Sequence, residues 1–238
     1  MEAGVNVFPL IMPAANVIQL RTLLAEKIPG LRMRLEAPHM AEYKFQAAGL
    51  RQIDEPLQGG FPKGAITEVI VAGAYYGSST LLQSLVQQAA KANEILTLID
   101  GNDSFDVTQL DEKMLSRLLW IRCRSVAQAI RAADLALRDG NLSWVILDLK
   151  SNSDQQLRKI SPATWYRFQR LVEETGTACV IFTPRRMLAP ARARINLRLQ
   201  ISLGAMECNP GGLQHQIKIE VSNSMRLGGN GIPPSTFK

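Results

Sequence analysis

The chain has 238 residues, 46% of them hydrophobic and 20% charged, enough apolar content for one large core and too much for a disordered chain. With 27 basic against 21 acidic residues it carries a formal charge of +6 and a pI near 9.4, which admits an anionic partner without naming one. Its three cysteines (Cys123, Cys179, Cys208) lie far apart with no CxxC pair, which argues against a disulfide framework or a zinc ribbon and fits a reducing cytoplasm. No run of 18 apolar residues is present, and the start of the chain has no basic region ahead of its short apolar run, so a signal peptide and a membrane span are not expected. The expected location is the cytoplasm. His39 and His215 sit in no triad-like motif, and a Ser/Cys–His hydrolase is not expected.

Taken in chain order, Asn16 can cap a helix whose apolar face holds Leu20, Leu23 and Leu24, and Pro29-Gly30 ends it. Residues 1–48 read as this helix plus a connecting arm. From Gly49, short β-rich runs alternate with helical stretches, the pattern of an α/β protein with a mostly parallel sheet. Strands are predicted at Ala65–Val71, Glu94–Ile99, Leu118–Arg122, Leu142–Leu149, Ala178–Phe182 and Leu197–Ser202. Several are apolar on both faces, as buried parallel strands are. Helices are predicted at Ser79–Ala92, Ser125–Arg138 and Pro162–Thr175, with Gly140 and Gly176 as C-terminal caps. Beyond the turn Pro210-Gly211-Gly212, Gln214–Val221 alternates as an antiparallel strand does. Residues 49–227 form the expected core domain and 228–238 a mobile tail.

The segment from Ala65 through Gly73, Tyr75, Tyr76, Gly77, Ser78, Ser79 and Thr80 has the strand–loop–helix order of a phosphate loop. Such a loop needs backbone N–H groups around the phosphates, a lysine on the outer phosphates and a Ser/Thr hydroxyl on magnesium. Laid on GxxxxGK[ST], Gly73 and Thr80 match, but Ser78 replaces the second glycine and Ser79 the lysine. Thr80 reads equally as a helix N-cap. Tyr75 and Tyr76 either close the pocket, face a partner, or pack inside the protein.

The run from Ile53 to Glu68, IDEPLQGGFPKGAITE, resembles the stretch that leads into the phosphate loop of the bacterial RecA recombinases. Leu98–Asp106 is similar to the RecA segment that carries the catalytic glutamate, with Asn102 in its place, and Val145–Asp148 to the Walker B strand. The resemblance, which spans roughly 49–238, implies a RecA-like three-layer α/β core with an N-terminal helical arm and a C-terminal antiparallel strand extension. It makes Asp148 the aspartate that serves magnesium; read on its own, Asp148 caps a turn at a strand end. With neither lysine nor glutamate, the resemblance implies a non-catalytic site with no ATP cofactor, since asparagine takes no proton near neutral pH and phosphoryl transfer depends on positioned charge. Asp103, next in line, is the one alternative carboxylate.

Among RecA relatives without ATP, the chain is most similar to the ImuA proteins of SOS mutagenesis cassettes. SulA, the SOS inhibitor of the cell-division protein FtsZ, is the second resemblance. The ImuA likeness implies an accessory protein of translesion DNA synthesis, with an ImuB-like Y-family polymerase subunit, an error-prone replicative-type polymerase and RecA as partners. Between Ser151 and Gln200 nine basic residues face three acids, a surplus equal to the chain's whole net charge. Arg158, Lys159, Arg185, Arg186, Arg192 and Arg194 lie where RecA carries its DNA-binding loops, and are the candidate contacts to single-stranded DNA, bound through phosphates and without base reading. The bland alternative is solvated arginines or an acidic protein partner. Phe45 and Ala48 match the FxxA pattern by which RecA-type subunits dock on a neighbour and join Leu20, Leu23 and Leu24 as candidate partner contacts. A divergent RecA-type ATPase that takes its lysine from Lys63 or Lys91 is the enzymatic alternative.

Overall fold

The computed structural model describes residues 44–71, 76–199 and 217–223, with Tyr76, Arg198, Leu199 and 217–223 described by backbone alone. The N-terminal helix with Leu20, Leu23 and Leu24, the loop residues Gly73 and Tyr75, Cys208, the turn at Pro210 and the tail lie outside them.

Six strands run parallel in one sheet: β3 (Ala65–Val71), β4 (Leu96–Asp100), β5 (Leu118–Arg122), β6 (Trp144–Asp148), β7 (Ala178–Thr183) and β8 (Ala193–Leu199). A seventh, β9 (Ile217–Asn223), pairs antiparallel with β8, so the sheet order is β5-β4-β6-β7-β3-β8-β9. A separate two-stranded sheet pairs β1 (Phe45–Gln46) with β2 (Phe61–Pro62). The expected α/β class, a mostly parallel sheet extended by a C-terminal antiparallel strand, is the observed one.

The three layers follow from side-chain alternation along the central strands. In β6, Trp144 and Ile146 face the core that includes Leu81, Leu82, Leu85, Val86 and Ala89 of helix α2 (Tyr76–Lys91). Val145 and Leu147 point the other way, into the core built on α4 (Val126–Asp139) and α6 (Pro162–Thr175). β7 divides likewise, with Val180 and Phe182 toward α2 and Cys179 and Ile181 toward α4 and α6. Both faces are covered, so β4, β6 and β7 are buried throughout. Each fully buried Leu, Ile, Val or Phe contributes about 1.5–3 kcal/mol.

Helix ends follow local chemistry. Ser125 caps α4 by accepting the Gln128 N–H, and Gly140 closes it at φ 75°, where residues other than glycine are strained. Pro162 opens α6 and Gly176 closes it at φ 74°. Three one-turn helices were not predicted: α1 (Arg51–Asp54), α3 (Glu112–Leu115) and α5 (Asp154–Leu157). They are too short to show a hydrophobic period. β8 starts four residues before the predicted Leu197, because Arg194 and Asn196 interrupt the apolar pattern while Arg194 is nonetheless buried.

Candidate functional site

In open parallel sheets, ligands bind outside the carboxyl ends of the strands. Here β4 and β6 end on Asp100 and Asp148, which are partners in register. Gly101 N–H donates to the Asp148 carbonyl (2.9 Å) and Asn152 Nδ2 to the Gly101 carbonyl (2.9 Å), locking the two strand ends together. No side chain fits at 101, since a Cβ would lie 2.6 Å from Asn152 Oδ1 and 2.7 Å from the Asp148 carbonyl oxygen.

Asp148 is buried and forms an ion pair with Lys150 Nζ, itself buried. Its other oxygen accepts the Lys150 N–H (3.2 Å) and so caps the turn that leaves β6. Burial pushes the Asp148 carboxyl above its ordinary range, the Lys150 ammonium opposes that rise, and the Asp100 charge adds to it. The cation beside Asp148 is therefore supplied by the chain itself. Asp100 is fully buried and accepts N–H groups from Asn102 (3.2 Å), Ser104 (2.8 Å) and Phe105 (2.8 Å), so it shapes the following turn.

Asn102 is exposed. Asp103, in a left-handed conformation at φ 52°, is held by Arg122 through two hydrogen bonds of 2.5 and 2.6 Å, and that guanidinium lies 5.0 Å from the Trp120 ring centroid. The hydrogen bonds from Arg122 hold the Asp103 carboxyl below its ordinary value. The carboxylates of Asp148, Asp103 and Asp100 are thus each engaged, with a lysine, with a guanidinium and with three backbone N–H groups respectively.

Of the candidate phosphate-loop residues, Gly77 and Ser78 are buried, Ser79 is exposed and Thr80 half-buried. Because α2 begins at Tyr76, Thr80 lies inside the helix, which corrects its reading as an N-cap. The partner candidate Ala48 is fully buried: its N–H donates to Asp54 Oδ1 (2.7 Å) and its carbonyl accepts the Ser84 hydroxyl (2.8 Å). It belongs to the chain's own core. Phe45 is half-buried in β1.

The arginine candidates divide. Arg158, Lys159, Arg185 and Arg186 are exposed. Asp154 joins the two loops that carry them, reaching Arg185 Nε at 3.1 Å and Arg158 at 3.9 Å. Arg192 is half-buried. Arg194 is buried and corrects the expectation of a DNA contact: its Nε donates to Glu68 Oε2 (3.0 Å), and its Nη2 to the Leu188 carbonyl.

Glu68, which the sequence reading gave no role, is wholly buried and organises the second arginine loop. Its Oε1 accepts from Met187 N (2.6 Å), Leu188 N (3.0 Å) and Thr183 Oγ1 (3.3 Å). The available signal was one acid inside the strand AITEVIV, apolar but for that acid and Thr67; Lys150 had a fainter one, two residues after a strand-end aspartate.

Compared with known proteins, the chain matches no family model and no curated protein. No helix among the described residues is long and apolar enough to cross a membrane.

Proposed function

We propose that this protein is a RecA-like core that has given up nucleotide chemistry and serves as a scaffold. Its particular role, on this reading, is that of an ImuA-type accessory protein in translesion DNA synthesis, located in the cytoplasm. It would join an ImuB-like Y-family subunit to an error-prone replicative-type polymerase and contact RecA or single-stranded DNA. The observation that carries the reading is the buried Asp148–Lys150 pair: the carboxylate that would serve magnesium is already matched by an internal cation. The serine at 79, the exposed Asn102 and the pairing of Asp103 with Arg122 support it in the same direction. The exposed Arg158, Lys159, Arg185 and Arg186 supply a phosphate-binding surface on two loops tied by Asp154.

Two measurements test it. Calorimetric titration with magnesium and ATP is expected to give no heat at millimolar nucleotide; saturable heat would overturn the non-catalytic reading in favour of a divergent ATPase. A tagged pull-down from DNA-damaged cells of the host is expected to recover translesion polymerase subunits or RecA. Recovery of FtsZ alone, or of no replication protein, would overturn the scaffold reading, and FtsZ would favour a SulA-like inhibitor.

A further inference from the structure

A cleft of about 510 Å³ opens between the amino-terminal turns of α4 and α6, with α5 along one side. One helical turn further along, the ion pair between Asp134 and Arg167 (2.8 Å) ties the two helices together. Its apolar lining is aliphatic, from Val126, Ala127, Ile130 and Ile160. Arg131 and Lys159 provide its charge, and neither makes an ion pair with another described residue. Among the described residues, no carboxylate and no aromatic ring lines the cleft.

We infer that this cleft docks a short acidic-aliphatic segment of a partner protein, with aliphatic side chains in the cavity and carboxylates on Arg131 and Lys159. The volume lies within the range of about 300–1,000 Å³ that encloses a compact ligand group. Two cations without a lining acid select against basic segments, since an unpaired like charge there is repelled. Neither α4 nor α6 has an acid in its first turn, so the positive helix ends add to the same field. The absence of an aromatic ring disfavours a nucleic acid base, which such sites hold by stacking. Lys159 also belongs to the proposed DNA surface, so the test separates the two.

A phage-displayed library of random peptides is panned against the purified full chain, and enriched peptides are measured by fluorescence anisotropy. The expected peptides combine aliphatic residues with flanking Asp or Glu. Their affinity is expected to fall tenfold or more in Ala127→Trp, which fills the cleft from an exposed position, and in Arg131→Glu, while Arg185→Ala/Arg186→Ala leaves it unchanged. Unchanged melting temperatures would show that both cleft variants fold. Enrichment of peptides without acids, or equal binding by Ala127→Trp, would overturn the inference. So would displacement of the peptide by oligothymidylate whose own binding is lost in Ala127→Trp, since the cleft would then be a nucleic acid site. Loss of oligothymidylate binding in Arg185→Ala/Arg186→Ala alone concerns only the DNA reading.

Discussion

Replacing Glu68 with alanine tests the buried polar arrangement that organises the second arginine loop. Glu68 is fully buried and accepts four hydrogen bonds, from Thr183, Met187, Leu188 and Arg194. Its removal takes the Glu68 carboxylate away from the Arg194 guanidinium, 9% exposed, and takes the acceptor from the Met187 and Leu188 N–H groups. Breaking a buried pair by deleting one partner costs about 3–5 kcal/mol, a large share of the roughly 5–15 kcal/mol that holds such a domain together. At about 2–4 °C per kcal/mol for a domain of this size, the melting temperature should fall by roughly 6–20 °C. Arg194→Met should cost less, because Glu68 keeps three of its donors, and Glu68→Leu/Arg194→Met should recover part of the loss. Urea denaturation of the parent, Glu68→Leu, Arg194→Met and Glu68→Leu/Arg194→Met gives the coupling energy of the pair, expected above about 1 kcal/mol. A loss under about 1 kcal/mol for Glu68→Ala, or additive single effects, would refute the argument.

Arg185→Ala/Arg186→Ala should weaken single-stranded DNA binding and flatten its dependence of log K on log salt by about 1.4, two phosphate contacts at roughly 0.7 each. Its melting temperature should not move, since exposed ion pairs such as Arg185–Asp154 contribute little; an unchanged DNA titration would remove the DNA reading. Lys150→Met leaves Asp148 buried without its cation and should destabilise the protein at pH 7. A carboxyl whose folded pKa is raised takes up a proton on folding, so stability falls as pH rises from the unfolded toward the folded value. Urea midpoints should therefore show the deficit of Lys150→Met against the parent shrinking from pH 7 to pH 5, and a constant deficit would refute the sign. Burial holds the Cys179 thiol up at about 12, so iodoacetamide at pH 8 should leave it unlabelled in the native protein and label it in urea, read by peptide mass spectrometry. Gly101→Ala should cost about 1–3 kcal/mol by urea denaturation, because its methyl meets backbone at Asp148.

The parallel α/β core was legible because its strands are short, apolar on both faces and bounded by strong punctuation. Ala65–Val71, Leu118–Arg122 and Pro162–Thr175 agree residue for residue with the reading, and Gly140 and Gly176 cap as expected. Such signals lie within a few neighbouring residues, where capping and periodicity act. The hydroxyl at Ser79 and the amide at Asn102 were likewise plain in the sequence, since each concerns which chemical group stands at one position.

What only the tertiary structure decided is how charges meet across distance in the chain. Arg194 and Arg186 look alike in sequence, yet one is buried on Glu68, 126 residues away, and the other is exposed. Ala48 fitted a docking motif but is spent on the core under α2. Asp154 became the link between two arginine loops because the β6 and β7 ends are neighbours in the sheet. Local propensity fixes helices, strands and caps; the state of a charged side chain depends on burial and on partners brought near by strand order, and a linear pattern carries neither.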